Sequence, residues 1–235
     1  MNNQTAILIF TRTAQEEAQQ KWSAQLGSAA NGRHIAQTLI AHTRKVAKAT
    51  GYPVIEVSTQ HQQGQSFGAR LSHAIQNIWN RGFENVLIVG TDTPSISTKL
   101  LQQAANQITP TQSVIGAATD GGAYLIGLHY RQFNADSFAT LPWQQEELYR
   151  ALSAHLSQDD QALHLLPILS DIDHWEALVH FIQTTPLSLL QVRLRYYLLS
   201  SEQATTLLPL PKAWNKNFTA PTYNRPPPIS TVIRA

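Results

Sequence analysis

Short continuous runs of apolar residues alternate along this chain with stretches whose apolar residues fall three and four apart. Ala6–Phe10 (AILIF) is the first such run and predicts a buried strand. Residues 11–31 are polar and irregular, with a Gln-rich middle (AQEEAQQKWSAQ) that predicts a helical turn or two. From Arg33 to Thr50, the residues Ile35, Leu39, Thr43, Val46 and Ala47 fall on one helix face, and Gly51 ends it. PVIEV at 53–57 is a second strand. Phe67, Leu71, Ala74, Ile75 and Ile78 recur at helical spacing up to Gly82, and Val86–Val89 is the third strand. Ser97 or Thr98 can cap a helix over 98–107. SVIGA (113–117) and AYLIGL (123–128) predict strands around a glycine turn, TDGG. A helix follows over 144–156, with Leu148, Ala151, Leu152 and His155 on one face. HLLPIL (164–169) is the last strand and DHWEALVHFIQ the helix after it. Strands separated by helices of this length predict a layered α/β domain with a mainly parallel sheet and right-handed crossovers. In such sheets ligands bind at the carboxyl ends of the strands.

The C-terminal part differs. PLSLLQVRLRYYLLSSE (186–202) predicts an amphipathic helix, and beyond Leu207 come Pro209, Pro211, Pro221 and Pro226–Pro228. The expected division is therefore a domain over 1–185 and an appendage over 186–235, a helix plus an extended Pro-rich tail.

Composition narrows the chemistry. The 235 residues are 43% hydrophobic, enough for a sizeable core, and only 14% charged. With a net charge of +2 and no dense basic run, nucleic acid is not an expected partner. Cysteine is absent, which removes disulfides, thiolate metal sites and cysteine nucleophiles. MNNQTAILIF has no basic n-region and reads as a first strand rather than a signal peptide. No run approaches the ~18 apolar residues of a membrane span. The expectation is a cytoplasmic protein.

Three segments carry candidate chemistry. In NVLIVGTDTPSIS (85–97) a strand stops on Asp92, between Gly90 and Pro94. A carboxylate there can ligate Mg²⁺ or Mn²⁺, or accept backbone N–H groups in the turn before the helix. In ATDGGAYLIGL (118–128), Gly121 and Gly122 allow close approach of a ligand, and Asp120 can bind hydroxyls or act as a base; the same DG pair is also a hairpin signal. In LLPILSDID (165–173) a strand ends near Asp171 and Asp173. These could supply further metal ligands, or Asp173 could cap a helix with Glu176 three residues on. No G-x-G-x-x-G follows the first strand, and no P-loop, H-E-x-x-H or G-x-S-x-G motif is present.

Taken in order, VGTDTPSI resembles G-S-D-C-P-x-L, ATDGGAYLIGL resembles E-D-G-G-Y-x-L-I-G-L, and LLPILSDID resembles L-P-x-x-x-D-V-D. QSFGARL (65–71) is similar to a G-D-L-G-x-R helix start, and LPWQQEEL (141–148) to I-P-W-S-T-x-x-V. Over residues 6–185 the chain thus resembles the radical-SAM/selenodomain-associated, or arsenosugar-type, glycosyltransferases, domain-of-unknown-function family 2064. The resemblance implies a three-layer α/β/α sandwich with a mainly parallel mixed sheet, of the nucleotide-diphospho-sugar transferase (glycosyltransferase A) type. It implies Asp92, Asp171 and Asp173 as holders of Mg²⁺ or Mn²⁺, with Asp92 also against the donor diphosphate. Asp120 becomes the catalytic carboxylate, with Gly121 and Gly122 beside the sugar or acceptor. Arg12, Lys21 and Arg70 are placed at the phosphates.

The family's first loop, F-A-K-x-P-x-x-G-x-x-K-T-R-L, is FTRTAQEEAQQKWSAQLG here, and Glu16 and Glu17 enter it. Two functions follow. One is a metal-dependent glycosyl- or nucleotidyl-transferase taking a nucleotide sugar or nucleotide and a small-molecule acceptor. The other is a non-catalytic relative, a binding or scaffold protein, whose C-terminal helix and tail are the interaction elements. Homodimerisation through the tail is a further option.

Overall fold

The computed structural model describes residues 4–22, 29–158 and 161–199. Six strands form one sheet: β1 (Thr5–Thr11), β2 (Val54–Ser58), β3 (Asn85–Val89), β4 (Gln112–Ala118), β5 (Ala123–His129) and β6 (Ala162–Leu169), in the spatial order β2-β1-β3-β5-β4-β6. β1 is parallel to β2 and to β3, and β4 is parallel to β6, while β5 runs antiparallel to both β3 and β4. Five strands therefore point the same way and β5 alone is reversed. The carboxyl ends of β1, β2, β3, β4 and β6 all reach one edge of the sheet, where β5 begins.

Eight α-helices are described: α1 (Ala14–Lys21), α2 (Ala29–Lys48), α3 (Phe67–Trp79), α4 (Thr98–Gln107), α5 (Ala135–Ala139), α6 (Leu148–Leu156), α7 (Trp175–Thr184) and α8 (Leu189–Leu199). The period-2 alternation of each strand separates two cores. Ala6, Leu8 and Phe10 of β1 face Leu71, Ile75 and Ile78 of α3 and Leu148 and Leu152 of α6. Ile7 and Ile9 face the other way, with Leu87, Val89 and Leu101 of α4. Burying an aliphatic side chain of this size stabilises by about 1.5–3 kcal/mol, so both faces of the central strands must be covered, which makes the three-layer sandwich.

A third cluster joins Trp22, Ile35 and Leu39 to Ile172, Trp175, Leu178 and Ile182, with Leu194 and Leu198 of α8 completing it. α8 thus packs on α2 and α7, burying Gln191, Leu194 and Leu198. The expected Pro-rich tail lies outside the described residues.

Two local expectations are corrected. The helix expected over 144–156 begins only at Leu148, because the preceding segment is bent: Gln144 has φ +65°, and Trp143 donates its indole N–H to the Phe138 carbonyl at 2.8 Å. Asp173 does not cap α7; the cap position is His174, with no side-chain hydrogen bond. By contrast α4 is capped by one of the two expected residues, Ser97, which accepts the Leu100 N–H.

Candidate functional site

The common edge of the strands opens into a cleft of about 900 Å³. Its floor is the ends of β1 and β3, tied together by the buried hydroxyl pair Thr11 Oγ1–Thr91 Oγ1 at 3.1 Å. Asp92, Asp120, Gly122, Asp171 and Asp173 all line it, as do Arg12 and Arg70. These sequence-predicted residues line one cavity although they come from four strand exits and, for Arg70, from α3, whereas Lys21 and Gly121 are not in its lining. Gly121 lies behind the wall, its φ of +90° and a close approach to the Glu146 carbonyl leaving no room for a Cβ.

Local sequence explains the placement of each carboxylate. Ile172 is 1% exposed in the third cluster, and with it anchored inward its neighbours Asp171 and Asp173 face the cleft. Its N–H also donates to the Asp92 carbonyl at 2.8 Å, stitching the β6 exit to the β3 exit. Asp120 sits in the tight turn between β4 and β5 and accepts the Gly122 N–H at 2.7 Å. The turn chemistry and the cleft-lining position coexist in this residue.

Oxygen atoms of Asp120, Asp171 and Asp173 lie within 4.8 Å of one another. Hard divalent cations take oxygen ligands at about 2.0–2.6 Å, so donors around one ion stand up to about 4–5 Å apart. The triad fits a single Mg²⁺- or Mn²⁺-like ion. Burial, reinforced by Asp173 and Asp120, pushes Asp171 up to about 7. Burial also acts on Asp173, but Lys21 and the hydrogen bonds from Asp171 and Asp120 outweigh it and hold Asp173 below the ordinary carboxylate range. Two carboxylates this close do not ionise independently without a cation between them.

Asp92 belongs to a second arrangement. Lys21 Nζ lies 2.7 Å from Asp92 Oδ1, 2.7 Å from Asp173 Oδ1 and 2.7 Å from Glu17 Oε1, with the Ile172 carbonyl at 3.2 Å. The Lys21 side chain is 6% exposed. Burial works against its charge, yet Asp92, Glu17 and Asp173 outweigh that and raise its pKa. Asp92 is itself pushed up to about 7 by burial, with Lys21 opposing and Glu17 adding to the shift.

The acids of the first loop have structural tasks. Thr13 and Glu16 form a capping box at the start of α1, with Thr13 Oγ1 donating to Glu16 at 2.7 Å and Glu16 N–H donating back at 3.3 Å. Glu17 pairs with Lys21 one turn on, and with Arg12 at 3.3 Å. Arg70 donates to Gln62, and Gln62 donates to the Thr11 carbonyl, so Arg70 is braced against the end of β1. The sequence marks Glu17 only as an acid entering the first loop, and it does not single out Gln62. The T-x-x-E spacing and the Glu17/Lys21 i,i+4 pair were the signals for α1; no local signal marks Gln62.

The six-stranded mixed α/β fold is similar to that of a solved structure. A candidate nucleotide-diphospho-sugar transferase from Desulfovibrio desulfuricans G20 superposes with a TM-score of 0.71 at 21% identity, over 83% of this chain and 95% of that one. Two others align less well. The manganese complex of Rv0371c from Mycobacterium tuberculosis H37Rv gives a TM-score of 0.45 at 12% identity, over 77% of this chain and 100% of that one. A nucleotidyl transferase from a Methanothermobacter species gives 0.43 at 15% identity, over 78% and 100% respectively. The sequence profile of the bacterial family described as "Uncharacterized protein conserved in bacteria (DUF2064)" matches residues 25–145. The match spans just over half of the chain, which belongs to this family. No curated protein matches the sequence significantly.

Proposed function

We propose that the protein is a metal-dependent transferase that takes a nucleotide-activated donor, a nucleotide sugar or a related nucleotide, and passes its activated group to a small-molecule acceptor. The observation that carries this reading is the oxygen triad Asp120/Asp171/Asp173, set at the carboxyl edge of the sheet in a cleft that also presents Arg12 and Arg70. Asp171 and Asp173, with Asp120, would hold Mg²⁺ or Mn²⁺, which when bound supplies charge neutralisation for a diphosphate leaving group. Arg12 and Arg70 would donate to phosphate oxygens. Asp92 joins the site through Lys21, which binds both it and Asp173. Asp120 also faces the acceptor side, beside Gly122 and the 143–146 segment, where it can orient or deprotonate a hydroxyl. An arsenosugar-type glycosyltransferase, as the motifs imply, is one member of this class.

The ratio of charges in the cleft makes the ion essential to the reading. Seven acidic side chains line it (Glu16, Glu17, Asp92, Asp120, Glu146, Asp171 and Asp173) against two arginines. A diphosphate therefore needs a divalent ion to enter. The same ratio favours the second reading, a cleft that no longer retains a donor. Calorimetric titration with Mn²⁺, followed by a panel of nucleoside diphosphates and nucleotide sugars, decides between them. The transferase reading expects metal-dependent nucleotide binding, lost in Asp171→Asn. Absence of nucleotide binding with metal present overturns it.

A further inference from the structure

We propose that Lys21 is the resident second cation of this site: its ammonium permanently occupies the position between Glu17, Asp92 and Asp173, so the cleft is built to take one divalent ion and not two. The inference rests on the ion-binding reading above. It adds the identity of the group that fills the other half of the acidic cluster.

The geometry is that of a filled coordination site. An ammonium has three N–H donors, and four oxygens surround this one: carboxylate oxygens of Glu17, Asp92 and Asp173 at 2.7 Å, and the Ile172 carbonyl, which accepts an N–H at 3.2 Å. No donor is left over for a phosphate oxygen. Lys21 is also absent from the cleft lining, whereas Asp92 and Asp173 line it, so the ammonium sits behind its carboxylate partners. Asp92 Oδ1 and Asp173 Oδ1 can be no more than two hydrogen-bond lengths apart. Two ionised carboxylates at that spacing require a cation between them.

The fold delivers that cation by a short rigid element. α1 is started by the Thr13/Glu16 capping box, carries Glu17 one turn before Lys21, and is followed by Trp22, which is 0% exposed. The lysine is thus held at both ends of its helix. A tethered charge cannot leave with the product or be removed by a chelator, and it fixes Asp92 and Asp173 before any ion arrives. Lys21 is in this sense a positioning residue, acting on the donor through the two aspartates. It also gives the two glutamates of the first loop a purpose, since one starts the helix and the other flanks the ammonium.

Metal stoichiometry tests this directly. Mn²⁺ is titrated calorimetrically into the full-length wild type, Lys21→Met, and Lys21→Met/Asp92→Asn, with thermal unfolding recorded for each. The wild type is expected to bind one ion. Lys21→Met is expected to bind two, the vacated pocket accepting an ion in place of the ammonium, with a larger Mn²⁺-induced rise in Tm than the wild type. Adding Asp92→Asn is expected to return the count to one. A folded Lys21→Met that binds one ion, or none, overturns the inference while leaving the transferase reading intact if the wild type binds one. A wild type that binds two ions overturns it whether or not any variant folds. A wild type that binds none overturns the metal-dependent reading and this inference with it.

Discussion

Asp92 and Asp173 leave the sheet at the ends of different strands and meet at one ammonium, each with a carboxylate oxygen 2.7 Å from Lys21 Nζ. The backbone repeats the link, because the residue before Asp173 donates its N–H to the Asp92 carbonyl at 2.8 Å. This pair ties the β3 exit to the β6 exit at the place where a donor diphosphate would lie. It also makes α1 part of the site.

Removing the ammonium should therefore destabilise the protein. Lys21→Ala leaves the buried Glu17 with the longer 3.3 Å pair to Arg12 and leaves Asp92 and Asp173 close together without a counterion. Breaking a buried ion pair costs about 3–5 kcal/mol. Asp92 and Asp173 are 35% and 40% exposed, so a loss of about 2–4 kcal/mol is expected here. Urea denaturation checks this, with Lys21→Ala/Glu17→Gln expected to recover part of the loss.

The triad should oppose its own folding at neutral pH. Asp171 is pushed up to about 7 by burial and then by Asp173 and Asp120, from an ordinary value of 3.8. Between about pH 4 and 7 the native state then holds a proton that the unfolded chain has lost, and this contribution to stability falls as pH rises through that window. Asp171→Asn should flatten the fall and raise the Tm of the metal-free protein at pH 7, while abolishing ion binding. For the wild type, Mn²⁺ affinity should rise with pH through 7, with protons released on binding. Calorimetry in buffers of different ionisation enthalpy measures that release.

Three histidines act with the opposite sign. Burial pushes His42, His129 and His155 below their ordinary value of 6.5. The unfolded chain protonates first, so their contribution to stability is lost as pH falls through about 6.5. In the wild type the raised carboxyls Asp171 and Asp92 oppose the histidines on acidification there, so Asp171→Asn, lacking one of them, should lose stability more steeply than the wild type. Thermal unfolding across pH 5–8 reads both slopes.

Gly121→Ala should disturb the wall of the cleft. Gly121 has φ +90°, and a Cβ would run into the Glu146 backbone carbonyl. Its own carbonyl accepts the Tyr149 N–H at 2.9 Å, so the turn and the start of α6 are locked together. Strained backbone of this kind costs about 1–3 kcal/mol, and displacement of the 144–146 segment should weaken acceptor binding more than metal binding. Denaturation and Mn²⁺ titration of the same variant separate the two effects.

Much of the fold was legible because strands buried on both faces must be continuous apolar runs, as AILIF and VLIV (86–89) are. The Ser97 cap was legible because capping is local chemistry. The helix from 144 was overextended because periodicity cannot register that the Glu146 carbonyl packs on Gly121, a contact set by the tertiary fold. For Asp173 local spacing leaves ligand and helix cap both open for the same reason: its partner, Lys21, is remote in sequence. The motifs brought Asp92, Asp120, Asp171 and Asp173 into one cleft, but which of them cluster as a triad and which share an ammonium is decided by side-chain geometry. Glu16 and Glu17 looked like intrusions into a phosphate loop; they are the parts that start α1 and flank its lysine.

Nucleoside diphosphate binding with and without Mn²⁺, for the wild type and Asp171→Asn/Asp173→Asn, tests whether the acidic triad brings the donor in through an ion. The wild type should bind nucleotide only with the ion present. The double variant, still folded, should lose ion and nucleotide together. Nucleotide binding that is indifferent to Mn²⁺, or that survives in the double variant, would contradict this role of the triad.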